Sequence, residues 1–176
     1  MDFQLTQKEQ MLLKDQLSHE EICIEKYRNY AEQAQDPQLK QLFNEYGSHE
    51  QQHYDTINQL LQGQKVNIQV GQGQHQSQHA GQGHHQAMQH TVEGMTQAGQ
   101  LLGQQTSTGM TAQDDAMLCS DMLMTEKYIS GTYDTAIFES VNPNIRQALQ
   151  HIQKEEQQHG EGIFNYMQQH GMYNPQ

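Results

Sequence analysis

A short motif, Glu-x-x-His, occurs twice in this 176-residue chain, and each copy follows another glutamate by 30 residues. The six residues are Glu20, Glu50, His53, Glu126, Glu156 and His159. In a helix, the i, i+3 spacing places the glutamate and the histidine of one motif on the same face. One Glu-x-x-His is a weak signal, because charged helices produce it by chance. Two copies, each at the same distance behind a glutamate, are a strong signal for a site that binds two metal ions.

The two copies belong to an internal repeat that has one fixed offset and no gap. Adding 106 to a residue number carries each half of the Glu/His set onto the other half, Tyr27 onto Tyr133 and Pro37 onto Pro143. Most other positions differ between the halves. The residues that survive are mainly helix caps, core positions and the Glu/His set, which indicates an old duplication or a shared constraint.

Four amphipathic helices are predicted to position these residues. Apolar residues recur every three or four positions in two zones, 6–62 and 114–170. Asp36-Pro37 divides the first zone and Asn142-Pro143 divides the second, with the Asp or Asn as N-cap and the proline at the first helical position. The first helix is expected to run from Thr6 to about Gln35.

Glycines and a long connection complete the predicted topology. Gly63 and Gly171 are expected to end the second and fourth helices. Tight corners make each helix pair antiparallel, whereas the Gln/Gly/His-rich connection 63–113 is long enough to run the length of the bundle and leave the second and third helices parallel. The fold class is therefore all-α, a ferritin-like four-helix bundle with a long crossover between helices 2 and 3. We expect residues 1–173 to form this single domain.

Two features are predicted inside the connection. A weak apolar stripe favours a short helix near residues 87–102. Five histidines either bind metal loosely or belong to a plain flexible spacer: His75, His79, His84, His85 and His90.

The six Glu/His residues lie on the apolar stripes, where solvated side chains do not belong, and the intervening glutamines point outward. Burying one carboxylate without a partner costs about several kcal/mol, and these stripes contain no Lys or Arg. Two divalent ions would balance the four carboxylates, and two neutral imidazoles would complete the ligand shell. The ligand types suit iron or manganese better than copper or structural zinc. The alternative is a water-filled polar core, or protonated glutamates hydrogen-bonded to histidines, left from a metal-binding ancestor.

Other side chains have more than one interpretation. Tyr27 follows Glu20, and Tyr133 follows Glu126, by seven residues. The two tyrosines have a role at the site, in which they hydrogen-bond a bridging carboxylate or carry an oxidising equivalent, or they simply fill the core. Cys23 and Cys119 are expected to be small buried apolar residues. Four histidines fall off the stripes and are expected to be solvated: His19, His49, His151 and His170.

Composition excludes several classes of function. The net charge of −12 and the absence of a basic cluster exclude electrostatic binding to nucleic acid or to an anionic membrane. No apolar run is long enough to span a bilayer, which takes about 18 residues. Two cysteines without a C-x-x-C pair exclude a disulfide framework and a rubredoxin-type iron site. Together with an N-terminus that lacks signal-peptide features, they suggest synthesis in a reducing compartment.

Both halves resemble known families. The segment YRNYAEQAQDPQLKQLFNEYGSHEQQH is similar to the first helix pair of rubrerythrins, which are ferritin-like di-iron proteins. Residues 114–173 closely resemble the Coat F domain of spore coat proteins from endospore-forming bacteria. The elements ESVNP-x-[IL]-R, M-x-x-x-G-x-Y and, in the third helix, Y-x-x-A carry that resemblance.

These resemblances imply two kinds of function. The rubrerythrin resemblance implies a dinuclear iron or manganese oxidoreductase that reacts with peroxide or O₂ or oxidises Fe(II), although this chain lacks the rubredoxin electron donor. The Coat F resemblance implies a protein made in the mother-cell cytoplasm and deposited in the spore coat among other coat proteins. The alternative function is a structural coat assembly protein without turnover. A homodimer is expected in either case, since ferritin-like bundles often pair through exposed helix faces.

Overall fold

The computed structural model describes residues 3–67 and 104–173. These residues form four helices and no strand: α1 (Gln7–Gln33), α2 (Pro37–Leu61), α3 (Gln104–Glu139) and α4 (Pro143–Gln169). The all-α fold class is thus confirmed. The predicted helix near 87–102 and the histidines between positions 75 and 90 lie outside the described residues, and the domain extent 1–173 stays a prediction.

Contacts between the helices establish the topology. Helix α1 packs against α2 and α3, and α4 packs against α3 and α2. Gln16 of α1 contacts Thr132 of α3. Tyr30, later in α1, bonds Asp121, earlier in α3, so α1 and α3 are antiparallel. Since α1 is also antiparallel to α2, helices α2 and α3 run parallel. This is the arrangement that the predicted long crossover serves.

Side chains cap the helix starts as the sequence indicates. Asp36 accepts a bond of 2.8 Å from the backbone N–H of Gln38, and Asn142 accepts the equivalent bond from Asn144. Each cap precedes a proline at the start of its helix. The glycines that follow α2 and α4 have left-handed backbone, with φ of 74° at Gly63 and 67° at Gly171, so both predicted helix ends are confirmed.

Two helix boundaries differ from expectation. Helix α1 ends at Gln33 rather than near Gln35, because the backbone of Ala34 has already left the helical region, with ψ of 134°. Helix α3 begins at Gln104, ten residues inside the connection predicted as 63–113. That stretch contains no proline, and its Gln, Met and Ala residues favour helix.

The predicted apolar stripes form the core, in two clusters on either side of the Glu/His set. One cluster contains Leu13, Ile57 and Ile152, and the other contains Phe43 and Ile163. Cys23 and Cys119 are free and fully buried, which confirms the expectation for both. Within the described residues, no helix is long and apolar enough to cross a membrane.

Buried acids from one helix pair close the corner of the other pair. Glu9, at the start of α1, accepts bonds of 2.9 Å from the backbone N–H groups of Val141 and Asn142. Asp115, in α3, accepts bonds of 2.9 Å from the N–H groups of Gln35 and Asp36. The two acids are separated by 106 residues, as are the corners that they cap. The repeat therefore includes a reciprocal cap that the sequence analysis missed.

Replacing Asp115 with alanine is expected to lower the free energy of unfolding by about 1–3 kcal/mol, because two partly buried N–H groups lose their acceptor. Urea denaturation followed by circular dichroism measures this change. Asp114→Ala removes an exposed carboxylate one residue away and should change the free energy by less than about 0.5 kcal/mol. Equal losses in the two variants would contradict the capping role.

Candidate metal centre

The six predicted ligands come together in the middle of the bundle, with one glutamate from each helix and one histidine each from α2 and α4. They form two groups of four, in which one potential ligand atom from each residue lies within 4.8 Å of the others. The Glu20 position consists of Glu20, Glu50, His53 and Glu156. The Glu126 position consists of Glu50, Glu126, Glu156 and His159. Glu50 and Glu156 are thus shared by both positions.

These side chains are removed from solvent and incompletely satisfied. None of the six is more than 2% exposed. Eight of their buried atoms have no hydrogen-bond partner in the described part of the chain: Glu20 Oε2, both oxygens of Glu50, His53 Nδ1, Glu126 Oε2, both oxygens of Glu156 and His159 Nδ1. Each unshared residue contributes one such atom and each shared glutamate contributes two. That division supplies four atoms to each position when each shared glutamate gives one oxygen to either side.

Both imidazole rings direct Nδ1 into the cluster. His53 Nδ1 lies 2.9 Å from Glu156 Oε1 and 3.5 Å from Glu20 Oε2. His159 Nδ1 lies 2.9 Å from Glu50 Oε1 and 3.9 Å from Glu126 Oε2. In each motif, therefore, the histidine contacts a shared glutamate from the opposite helix.

Burial makes ionisation of the carboxyls unfavourable. It raises the pKa of Glu20 to about 7 and that of Glu156 to about 7, and the neighbouring carboxylates add to the effect. The pKa of Glu50 and that of Glu126 are raised for the same reasons. The cluster without metal is consequently a site for protons near neutral pH, and divalent ions would take the place of those protons.

The two histidines respond to burial in different ways. Burial lowers the pKa of His159 to about 3, helped by the charge of His53. Burial opposes the charge of His53 as well, but the bond to Glu155 and the closeness of three cluster carboxylates raise its pKa well above the ordinary value. The halves of the centre are therefore similar in ligands but unequal in surroundings.

Tyr27 and Tyr133 bond the unshared glutamates across the α1–α3 interface. The Tyr27 hydroxyl donates to Glu126 Oε1, and the Tyr133 hydroxyl donates to Glu20 Oε1. Burial and the adjacent carboxylates raise the pKa of both phenols well above the ordinary value. Each unshared glutamate thus has one oxygen held by a tyrosine and the other directed into the cluster. The bond to a bridging carboxylate that the sequence analysis considered is absent, since neither tyrosine bonds a shared glutamate.

The histidine rings also have partners behind them. His53 Nε2 lies 2.9 Å from Glu155 Oε2, and His159 Nε2 lies 3.1 Å from His49 Nδ1. The expectation that His49 is solvated is wrong: it is half-buried, because the α2–α4 interface covers it. Neither Glu155 nor His49 was predicted to belong to the site. Their place immediately before each Glu-x-x-His, 106 residues apart, was the available signal.

The other histidines outside the stripes vary in burial. His170 is exposed, as expected, whereas His151 is half-buried with Nε2 3.5 Å from Glu155 Oε2. His19 is half-buried against Tyr128, and its Nδ1 is covered. Neither of the half-buried rings belongs to the two groups of ligands.

The arrangement fits a pair of divalent ions. The donors are carboxylate oxygens and imidazole nitrogens, which is a set that iron and manganese accept. Four carboxylates balance the charge of two such ions, and the two shared glutamates are placed to bridge them. This pattern, with one glutamate from two helices and Glu-x-x-His from the other two, is that of dinuclear carboxylate proteins.

Comparison with known proteins agrees with both resemblances. Residues 12–91 match the rubrerythrin family, and residues 114–176 match the Coat F domain family. The rubrerythrin match includes Glu20, Glu50 and His53, and the Coat F match includes the remaining three predicted ligands. Searches of curated proteins and of solved structures found no match.

Proposed function

We propose that this chain, rubrerythrin-like in its first half and Coat F-like in its second, is a ferritin-like spore coat protein with a dinuclear iron or manganese centre. The proposed centre reacts with peroxide or O₂, or it oxidises Fe(II). The observation that carries the proposal is the set of eight unpartnered ligand atoms buried at one place. Such a set is unfavourable in a folded core unless cations or protons occupy it.

The six ligands have distinct roles in this proposal. Glu50 and Glu156 bridge the two positions, while Glu20 with His53 and Glu126 with His159 complete one position each. A pair of bound iron or manganese ions would supply the change of redox state that reaction with peroxide, O₂ or Fe(II) requires. The apolar clusters on both sides of the centre keep bulk water away from it.

Tyr27 and Tyr133 are the proposed catalytic residues. Each hydroxyl keeps its proton, because burial and a carboxylate neighbour raise the phenol pKa, and each holds an unshared glutamate in one orientation. Each ring is also one hydrogen bond away from a proposed ligand. That proximity supports the further role predicted for them, the transfer of an oxidising equivalent.

The Coat F match supports the proposed location. We propose synthesis in the mother-cell cytoplasm, deposition in the spore coat and contact with other coat proteins there. Peroxide or O₂ is the proposed small reactant, and a homodimer is the proposed assembly.

A structural coat assembly role is the second candidate, and the same match favours it. In that case the metal ions would only staple the bundle together. Coat incorporation separates the two functions, because a structural protein should tolerate Glu126→Ala with little loss of incorporation and should show no turnover before or after the substitution.

Elemental analysis tests the proposed function first. Protein purified without a His-tag or chelator is expected to contain nearly two iron or manganese atoms per chain, and Glu126→Ala at most one. Consumption of peroxide and oxidation of Fe(II) should then occur in the parent protein and be lost in Glu126→Ala. Circular dichroism should show that the variant remains helical.

Three results would count against this function. Absence of metal from the folded parent, including after incubation with Fe(II) or Mn²⁺, would leave a coat building block. Bound metal without turnover would favour the structural assembly role, in which the ions only stabilise the bundle. Unfolding of Glu126→Ala would indicate that the ion at that position is mainly a structural clip.

A further inference from the structure

We infer that the two metal positions are unequal, and that the Glu20 position binds a divalent ion more tightly than the Glu126 position. The inference rests on the proposed dinuclear centre and adds an order of loading. It is carried by the residues that stand immediately before each Glu-x-x-His, where the repeat is broken. Position 155 is a glutamate, whereas its counterpart 106 residues earlier is His49.

Glu155 holds His53 ready to bind metal. Since Nδ1 of His53 faces the cluster, the ring proton must lie on Nε2 when Nδ1 is a ligand. Nε2 is 2.9 Å from Glu155 Oε2, so the proton is donated to a carboxylate. Hydrogen bonds to a charged acceptor are roughly twice as strong as neutral ones, and a carboxylate partner increases the basicity of a ligating imidazole.

His49 offers His159 a weaker acceptor. The same requirement places the ring proton of His159 on Nε2, which lies 3.1 Å from Nδ1 of His49. A ring nitrogen that accepts this proton must carry none itself, so His49 accepts as a neutral imidazole. It therefore adds no negative charge behind the Glu126 position.

The carboxylates of the two positions are matched by the repeat. Each unshared glutamate accepts a bond from one buried tyrosine, and the bridging glutamates are common to both positions. A second difference lies beside His159, whose ring stacks on Tyr46 with centroids 4.4 Å apart. The counterpart of Tyr46 is Ile152. The orientation of the His159 ring is thus fixed by packing against an aromatic side chain, whereas that of the His53 ring is fixed by a charged hydrogen-bond acceptor.

Two mirror-related variants isolate the positions. Glu126→Ala leaves the Glu20 position complete, and Glu20→Ala leaves the Glu126 position complete. Titration of the wild type alone is insufficient, because two nearby cations repel and would separate the binding steps even at identical positions. Mn²⁺ binding to each metal-free variant, measured by calorimetry and by the electron paramagnetic resonance signal of free Mn²⁺, is expected to be about 10–100-fold tighter in Glu126→Ala.

Variants of the partner residues show whether Glu155 and His49 cause the difference. Adding Glu155→Gln to Glu126→Ala keeps an acceptor but removes its charge, and should weaken Mn²⁺ binding about tenfold or more. Adding His49→Glu to Glu20→Ala should tighten binding. Glu161→Gln, an exposed change on α4, is the control and should leave the affinity unaltered.

The outcomes separate this inference from the proposed centre. Equal affinities in the two mirror variants, or tighter binding in Glu20→Ala, would overturn the inference that the positions are unequal. The proposed dinuclear centre would still stand in that case if the wild type binds two ions. A folded wild type that binds no Mn²⁺ would overturn both. If neither mirror variant binds an ion, the single variants Glu155→Gln and His49→Glu, which keep all six ligands, decide the question. Glu155→Gln must then weaken Mn²⁺ binding and His49→Glu must tighten it. An unchanged affinity in either variant would overturn the inference.

Discussion

Replacing Glu156 with glutamine is expected to abolish the binding of both metal ions at the proposed centre. Both oxygens of Glu156 lie unpartnered in the cluster, and the residue belongs to both metal positions. An amide carries no charge and has one oxygen in place of two, so neither position keeps its ligand set. Metal content per chain after reconstitution with Mn²⁺ and gel filtration measures the loss, which should be from nearly two ions to nearly none.

The unshared glutamates provide the comparison for this result. Glu126→Gln alters one position only and should retain about one ion, whereas the exposed Glu161→Gln on α4 should retain both. The metal-free form of Glu156→Gln should be at least as stable as the metal-free parent, because the substitution removes a buried ionisable group. Two ions retained by Glu156→Gln would show that this glutamate bridges nothing.

Removal of the metal is expected to reverse the effect of pH on stability. The pKa of Glu20 and that of Glu156 rise to about 7 on folding, so between their ordinary value and pH 7 the folded state binds more protons than the unfolded state. The free energy of unfolding of the metal-free protein therefore falls as the pH rises through this window. The melting temperature should be higher at pH 5.5 than at pH 7.5, by about 5 °C or more.

Other titratable side chains do not change the sign of this pH dependence. His159, with a pKa of about 3, and His49, whose pKa is also lowered by burial, act in the opposite direction below their ordinary value, but they are two groups against four raised carboxyls. Glu9 has a pKa that backbone donors hold below the ordinary value against the effect of burial, so it acts at lower pH than this window.

The metal-loaded protein should behave in the opposite way. Protons compete with metal for the same ligands, so its melting temperature should be higher at pH 7.5. An ion at 100 times its dissociation constant adds about 2.7 kcal/mol of stability. Scanning calorimetry at both pH values, with and without Mn²⁺, checks the reversal. The double variant Glu20→Gln/Glu156→Gln should lose much of the metal-free dependence, and a parent without any such dependence would contradict the raised pKa values.

The repeat explains why the proposed ligand set could be read from the sequence. Buried charge on an apolar stripe is visible as a pattern, and the offset of 106 doubled each observation. The caps at Asp36 and Asn142 and the helix ends at Gly63 and Gly171 were predictable for the same reason. These features depend on residues close in sequence, for which local chemistry is decisive.

Features that depend on distant partners were not predicted. The buried Glu9 looks like an ordinary acid in the first turn of a helix, because its acceptor role involves backbone groups more than 130 residues away. His49 lies off the stripe of its own helix, and only the approach of α4 covers it. Which atoms of Tyr27 and Tyr133 meet which glutamate likewise follows from the packing of α1 against α3.

The reciprocal caps and the shared glutamates have a joint consequence for the release of metal. Each corner is closed by an acid from the opposite half of the chain, and each metal position takes ligands from both halves. Opening the bundle between its halves would break capping and coordination in one event. Neither half alone retains a complete set of the proposed ligands, so any bound ions would be kept or lost together with the whole fold. Separation of either helix pair from the other would therefore leave both proposed metal positions incomplete at the same time.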